Sequence, residues 1–153
     1  MLTLSKLTDY AIVLMSRLAA YGQCTATARV LAQETRIPGP TVIKLLKILA
    51  AHGALQSIQG RNGGYRLSRP ASGISLAEII EAVEGQIALT ECNREVSDCR
   101  IEDSCGVRAH WLVINGALRQ ALTDISLADL AGPVLPRRAW RPVTLNRSRP
   151  LEQ

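Results

Sequence analysis

No long uninterrupted apolar run opens this chain. Its first 22 residues, MLTLSKLTDYAIVLMSRLAAYG, carry Lys6, Asp9 and Arg17 inside the hydrophobic stretch, which argues against a secretory core and a membrane span. A cytoplasmic protein without a membrane partner is the expectation. Catalytic equipment is equally sparse. The two histidines, His52 and His110, fall in separate segments, no Ser or Cys stands in a nucleophile elbow, and no motif pairs two carboxylates. Neither an enzyme nor a small-molecule substrate is therefore expected. The glycine-rich stretch 59–64, QGRNGG, lacks the Lys-Ser/Thr of a phosphate-binding loop and does not sit between a strand and a helix. Acidic residues are scarce in the first 70 positions, where nine Lys/Arg face two acids for a net +7.

The 153 residues are 47% hydrophobic, enough for one globular core plus an appendage. Charge is segregated: residues 71–130 hold four basic and ten acidic side chains, net −6, and 131–153 hold five arginines and one glutamate, net +4. A basic module followed by an acidic one suits a polyanion partner at one end and a protein or cofactor role at the other.

Leu4, Leu7, Ala11, Leu14, Met15 and Leu18 recur at helical spacing, predicting a first helix of about 16 residues capped by Ser5 or Thr3 and stopped by Gly22. Thr27 caps a second short helix, ARVLAQET, and Arg36-Ile37-Pro38 turns into a third that closes at Gly53. Short helix, tight turn and helix form the helix-turn-helix pattern. In the third helix Val42, Leu45, Leu46 and Leu49 make the buried stripe. Thr41, Lys44 and Lys47 lie on the small, basic opposite face, which suits entry into a major groove. Residues 54–58 and 65–68 then alternate around the glycine-rich turn as a hairpin wing, bringing Arg61, Arg66 and Arg69 toward double-stranded DNA, with Arg61 at the tip.

After Pro70, Ser75 and Glu78 form a capping box for a helix with Leu76, Ile79, Ile80 and Val83 on its apolar face. Three of the four cysteines follow within fourteen residues, CNREVSDCRIEDSC, with six residues between Cys92 and Cys99 and five between Cys99 and Cys105. Three thiols cannot all pair, and so dense a cluster in a reducing compartment favours a soft metal or an iron–sulfur centre over disulfides. Zinc on Cys92, Cys99, Cys105 and His110 is the rival, although neither gap matches the short spacing of structural zinc sites. Cys24, remote in sequence, reads as a small buried hydrophobe. From Gly106 to about residue 127 an amphipathic pattern of Val107, Trp111, Ile114, Leu118, Leu122 and Ile125 exceeds what one small domain covers, so a second copy is expected to cover it as a homodimer.

The expected fold is thus mostly α with a small β-hairpin wing, a winged helix-turn-helix plus a long C-terminal dimerisation helix. Residues 1–85 form the DNA-binding domain, 86–105 the cysteine loop, 106–130 the dimerisation helix and 131–153 a basic Pro/Arg-rich tail without helical or strand period, expected to be disordered.

The segments LSKLTDYA, IPGPTVIKLLKIL, GRNGGYRLSRP and SGISLAEIIEAVEG, with the three-cysteine loop before a long helix, resemble the IscR/NsrR-type winged-helix regulators of the Rrf-two family over residues 1 to about 128. CRIEDSCGV and ALTDISLADL look closest to the branch regulating the SUF iron–sulfur assembly operon. The resemblance implies a homodimeric repressor that holds an iron–sulfur cluster, 2Fe–2S in preference to 4Fe–4S, on Cys92, Cys99 and Cys105. The alternatives are a nitric-oxide- or redox-responsive regulator of the same family and a thiol-based regulator without a cluster. Two departures stand out. Gln59 replaces the arginine some members carry. Arg108 occupies the position of the fourth ligand, a histidine in IscR-like members, and a guanidinium does not ligate. Asp9, matching a helix-one carboxylate of NsrR-like members, and His110 are the candidate fourth ligands, Asp9 first.

Overall fold

The computed structural model describes residues 3–133; of the expected tail, 134–153 lie outside the described residues. Helix α1 spans Lys6–Ala19, α2 Ala28–Thr35 and α3 Gly39–Ala51, followed by strands β1 Leu55–Ile58 and β2 Gly64–Leu67. Then come α4 Leu76–Glu84, α5 Arg108–Thr123 and α6 Leu127–Ala131. No helix among the described residues is long and apolar enough to cross a membrane.

Each of the first helices starts where a hydroxyl satisfies an otherwise unpaired amide. Ser5 Oγ accepts from Thr8 N and Thr27 Oγ1 from Val30 N. Pro38 and Pro40 flank the start of α3, where the missing amide hydrogen costs little. The expected stripes pack together: Ala11, Leu14, Met15 and Leu18 of α1 meet Leu31 of α2, the four expected α3 residues, Ile79 of α4 and the wing's Leu55 and Leu67. Leu4 departs from the expectation. It precedes the helix and stays 50% exposed.

The wing is antiparallel, pairing Leu55 with Leu67 and Gln56 with Arg66. A third segment joins it, because Ala26 N donates to Tyr65 O at 2.9 Å and Tyr65 N to Ala26 O at 2.8 Å. The wing is thereby stitched to the residue preceding the α2 cap. Gly60 and Gly64 hold positive φ of 111° and 156°, as the turn requires.

The expected long helix is two helices. Residues 124–126 break it because Ser126 and Asp129 form a second capping box, and because Leu76 N donates to Ile125 O and Leu127 N to Ile74 O, both at 2.8 Å. The start of α6 is thus paired to the start of α4, and Leu127 is fully buried in the shared core. The segment after α5 folds back on its own chain.

Two carboxylates fasten these ends. Glu84 at the end of α4 accepts from the Thr8 hydroxyl at 2.5 Å and from Ser5 N at 2.7 Å. Donation by Thr8, then by the Ser5 amide, holds its carboxyl below the usual range. Asp129 is lowered by the Ser126 hydroxyl and then by its amide. A folded-state pKa below the unfolded one adds stability that is present above the unfolded carboxylate pKa, about 4. It is lost as pH falls through the folded value. Glu84→Gln is therefore expected to flatten the acid limb of stability. Its urea midpoint should change less than wild type's between about pH 6 and pH 3, and equal acid sensitivity would show that Glu84 carries none of it.

Candidate nucleic-acid interface and cysteine loop

The turn between α2 and α3 is made by Arg36, which takes the left-handed conformation at φ 58° as the C-cap of α2. On α3, Lys44 and Lys47 are exposed and Thr41 is half-buried, while Gln59 and Arg61 are exposed at the wing. Arg66 is half-buried and donates through Nε and Nη2, both at 3.1 Å, to Gln56 Oε1 across the strand pair. Arg69 departs from its expected place on the reading face. Its guanidinium is paired with Glu78 of α4 and donates from Nε to Gly73 O at 2.8 Å and from Nη1 to Gly53 O at 3.4 Å. It ties the end of α3 to the start of α4.

Sequence reasoning missed Ile43, 46% exposed on α3, and Arg29, which with Ala28, Ala32, Gln33, Gly39 and Ile43 lines an open groove between α2 and α3. The signal was a large apolar residue outside the buried stripe. If Lys47 and Arg61 meet phosphates, Lys47→Ala and Arg61→Ala are each expected to lower operator affinity and reduce the slope of log affinity against log salt by about 1. Fluorescence anisotropy across a salt series reads this, and an unchanged slope would remove that residue from the backbone contacts.

The cysteine loop is held unevenly. At its start, Leu89 N donates to Asn115 Oδ1 at 2.9 Å and Asn115 Nδ2 donates to Ile87 O at 3.0 Å. Asn115 thus stitches the approach to the loop onto α5. A 3-10 turn at Glu91–Asn93 follows, with Asn93 buried and Cys92 Sγ 3.2 Å from Thr90 Oγ1. At its end, Arg108 N donates to Cys105 O at 3.2 Å, seating Cys105 one turn from the start of α5. Between these anchors most residues from 94 to 104 are exposed, and Cys99 N has only the Ser97 hydroxyl at 3.3 Å.

All three loop cysteines are free and half-buried. Their thiols and the candidate fourth ligands do not converge: among the described residues no three His, Cys, Asp or Glu side chains form a metal-holding group. Asp9 lies exposed in the first turn of α1 and His110 exposed on α5. Cys24 is exposed, not buried as expected, because the turn before Thr27 runs over the surface. The donor chemistry nonetheless suits a thiolate-held centre. Three unpaired soft ligands share one loop, and Arg108, three residues past Cys105, has its Nε buried without a hydrogen-bond acceptor among the described residues.

On α5, Trp111, Leu112, Val113 and Ile114 are between 36% and 57% exposed. Its later turns are better covered, and Arg119 donates two hydrogen bonds to Glu81 of α4, Nε to Oε1 at 2.8 Å and Nη2 to Oε2 at 3.2 Å.

Comparison with known proteins agrees with this architecture. The chain is 35% identical over 120 residues to protein aau3 of Rhizobium meliloti (strain 1021), covering 78% of this chain and 73% of that one. Among solved structures it is similar to CymR (YrzC), described as the global cysteine regulator of B. subtilis, with a TM-score of 0.67 and 27% identity over 86% of this chain and 97% of that one. It is also similar to T. potens IscR, with a TM-score of 0.62 and 25% identity over 84% and 85% of the two chains. The family described as Rrf2, iron-dependent transcriptional regulator, matches residues 4–133, a span that takes in the reading head, the cysteine loop and both C-terminal helices. The chain belongs to the Rrf2 family of DNA-binding transcriptional regulators.

Proposed function

We propose that this regulator is a homodimeric repressor of iron–sulfur assembly genes of the SUF type, whose operator affinity follows the state of an iron–sulfur cluster held by Cys92, Cys99 and Cys105. The observation that carries the reading is the loop itself: three free thiols, Cys92 just past the stretch that Asn115 bonds to α5, Cys105 bonded to the first residue of α5, and Cys99 on the exposed span between them. Asp9, exposed on α1 and supplied by the second copy, completes the ligand set in preference to His110. A 2Fe–2S centre is favoured over 4Fe–4S. When bound, such a cluster supplies metal–thiolate bonds that oxidants, nitric oxide or iron loss break.

The chain does the rest. Closing the 94–104 span brings Cys99 toward ends already fixed on α5. From α5 a contiguous set of polar contacts reaches the reading head: Arg119 to Glu81 on α4, then Glu78, one turn earlier on α4, to Arg69, whose Nη1 meets Gly53 O beyond α3. Contiguity of this kind supports coupling. The exposed apolar turns of α5 would seat the second copy, and two reading heads then face half-sites about 34 Å apart.

The test is anaerobic purification followed by iron and acid-labile sulfide analysis, with operator affinity measured before and after cluster removal. Stoichiometric zinc, or no metal and no sulfide, would overturn the reading. A second reading, a thiol switch without a cluster, is favoured by the likeness to the B. subtilis cysteine regulator. It requires a colourless protein whose DNA binding responds to reductant alone.

A further inference from the structure

We infer that Arg108 is a positioning residue for the loop's sulfur atoms, its Nε–H donating a hydrogen bond to a thiolate, or to a sulfide held by the thiolates. The inference rests on the cluster reading above.

Arg108 opens α5, and its Nη2 lies 2.5 Å from Glu102 Oε1. Glu102 begins the 3-10 turn Glu102–Ser104, between Cys99 and Cys105. The guanidinium is thus fastened to the stretch of chain that joins two cysteines, while its own backbone amide bonds the carbonyl of Cys105. The side chain as a whole is 43% exposed. Its Nε is shut away from water and has no acceptor among the described residues.

A guanidinium cannot shed that hydrogen at any ordinary pH, and a buried donor left unmade costs roughly 1–3 kcal/mol. The neighbouring carboxylate is already engaged at Nη2. Besides its carboxylates the loop holds sulfur acceptors: three cysteines, none in a disulfide. Thiolate or sulfide sulfur is a weak acceptor for a neutral donor but a good one for a cation, because the bond is charge-assisted. Lysine would keep the charge and lose the planar fork, so the exchange is not conservative.

A donor to cluster sulfur stabilises the more negative, reduced state, and hydrogen bonds to sulfur are among the levers that set cluster potentials. In the full-length protein, reconstituted anaerobically with iron and sulfide, Arg108→Lys and Arg108→Gln are expected to bind wild-type amounts of both. Their midpoint potentials, read by dye-equilibrated titration of the visible absorption, should both fall. A tenfold change in the redox equilibrium, about 59 mV for one electron, is the expected size. Glu102→Gln, which frees the fork, should move the potential in the same direction by less. Far-ultraviolet circular dichroism and a thermal melt establish that each variant is folded.

A wild-type potential in the folded Arg108→Lys protein would overturn the inference, because charge alone would then account for the side chain. An unchanged potential in both variants would also overturn it. Wild-type protein that takes up no iron and sulfide would instead sink the cluster reading, a distinct failure.

Discussion

Cys99→Ala is expected to abolish the visible absorption of protein purified without air and to lock operator affinity at the value of cluster-free wild type. Cys99 is the proposed ligand on the exposed span from 94 to 104, its amide donating to the Ser97 hydroxyl at 3.3 Å. Cys92 and Cys105 sit where the loop joins α5. Removing a half-buried thiol from a surface loop should change folding stability by less than about 1 kcal/mol. The winged helix should therefore melt as wild type does while the colour disappears. If the cluster and the operator are coupled as sites in regulators usually are, by about 1–3 kcal/mol, affinity differs about 5- to 150-fold between loaded and empty forms. Cys92→Ala and Cys105→Ala should match Cys99→Ala. Cys24→Ala is the control: exposed in the turn before α2, it should keep both colour and regulation. Stoichiometric iron and sulfide in the Cys99→Ala protein would remove that residue from the ligand set. Equal operator affinity of the loaded and empty wild-type forms would leave the cluster without a regulatory role.

The reading head was legible because its signals are local. Thr27, Pro40 and the stripe from Val42 to Leu49 each fix a boundary or a face within a few residues, and each appears where periodicity and capping put it. The cysteine loop was legible as a cluster of ligand types but not as a site, since no spacing rule says how three thiols approach one another. What escaped depends on long-range pairing. Arg69 reads as one more basic wing residue until Glu78 and the Gly53 and Gly73 carbonyls are found around it. Ser126 and Asp129 do have capping-box spacing, so the break after α5 was readable. It was overridden by an apolar repeat that runs on through Ile125 and Leu127, residues that serve the body's own core and its pairing with α4. Asn115 had no local signal beyond being polar within an apolar helix. Its two bonds to the 87–89 backbone exist only once the loop approach lies across α5.

Gly64→Ala is expected to cost about 3 kcal/mol, combining left-handed backbone strain with overpacking against backbone, and to weaken operator binding as well. At φ 156° the residue already favours glycine, and a Cβ there would stand 2.6 Å from Ala26 O, 2.9 Å from Ala26 C and 3.2 Å from Thr27 N. None of those atoms is a side-chain end that can swing aside. They belong to the paired bonds between Ala26 and Tyr65 and to the N-cap of α2, so relief requires the wing to lift from the helix-turn-helix. Its tip would follow, because Thr25 Oγ1 donates to Asn62 O at 3.2 Å beside Arg61. Gly60→Ala separates strain from crowding: at φ 111° with nothing within 4 Å of the added carbon, it should cost only about 1–2 kcal/mol. Against a typical domain stability of about 5–15 kcal/mol, the Gly64 variant should show a clearly lowered urea midpoint and a larger loss of operator affinity than Gly60→Ala. If Gly64→Ala unfolds within about 0.5 kcal/mol of wild type, the wing is not docked on residue 26 in solution. The placement of Arg61 relative to α3 would then have to come from the DNA rather than from the fold.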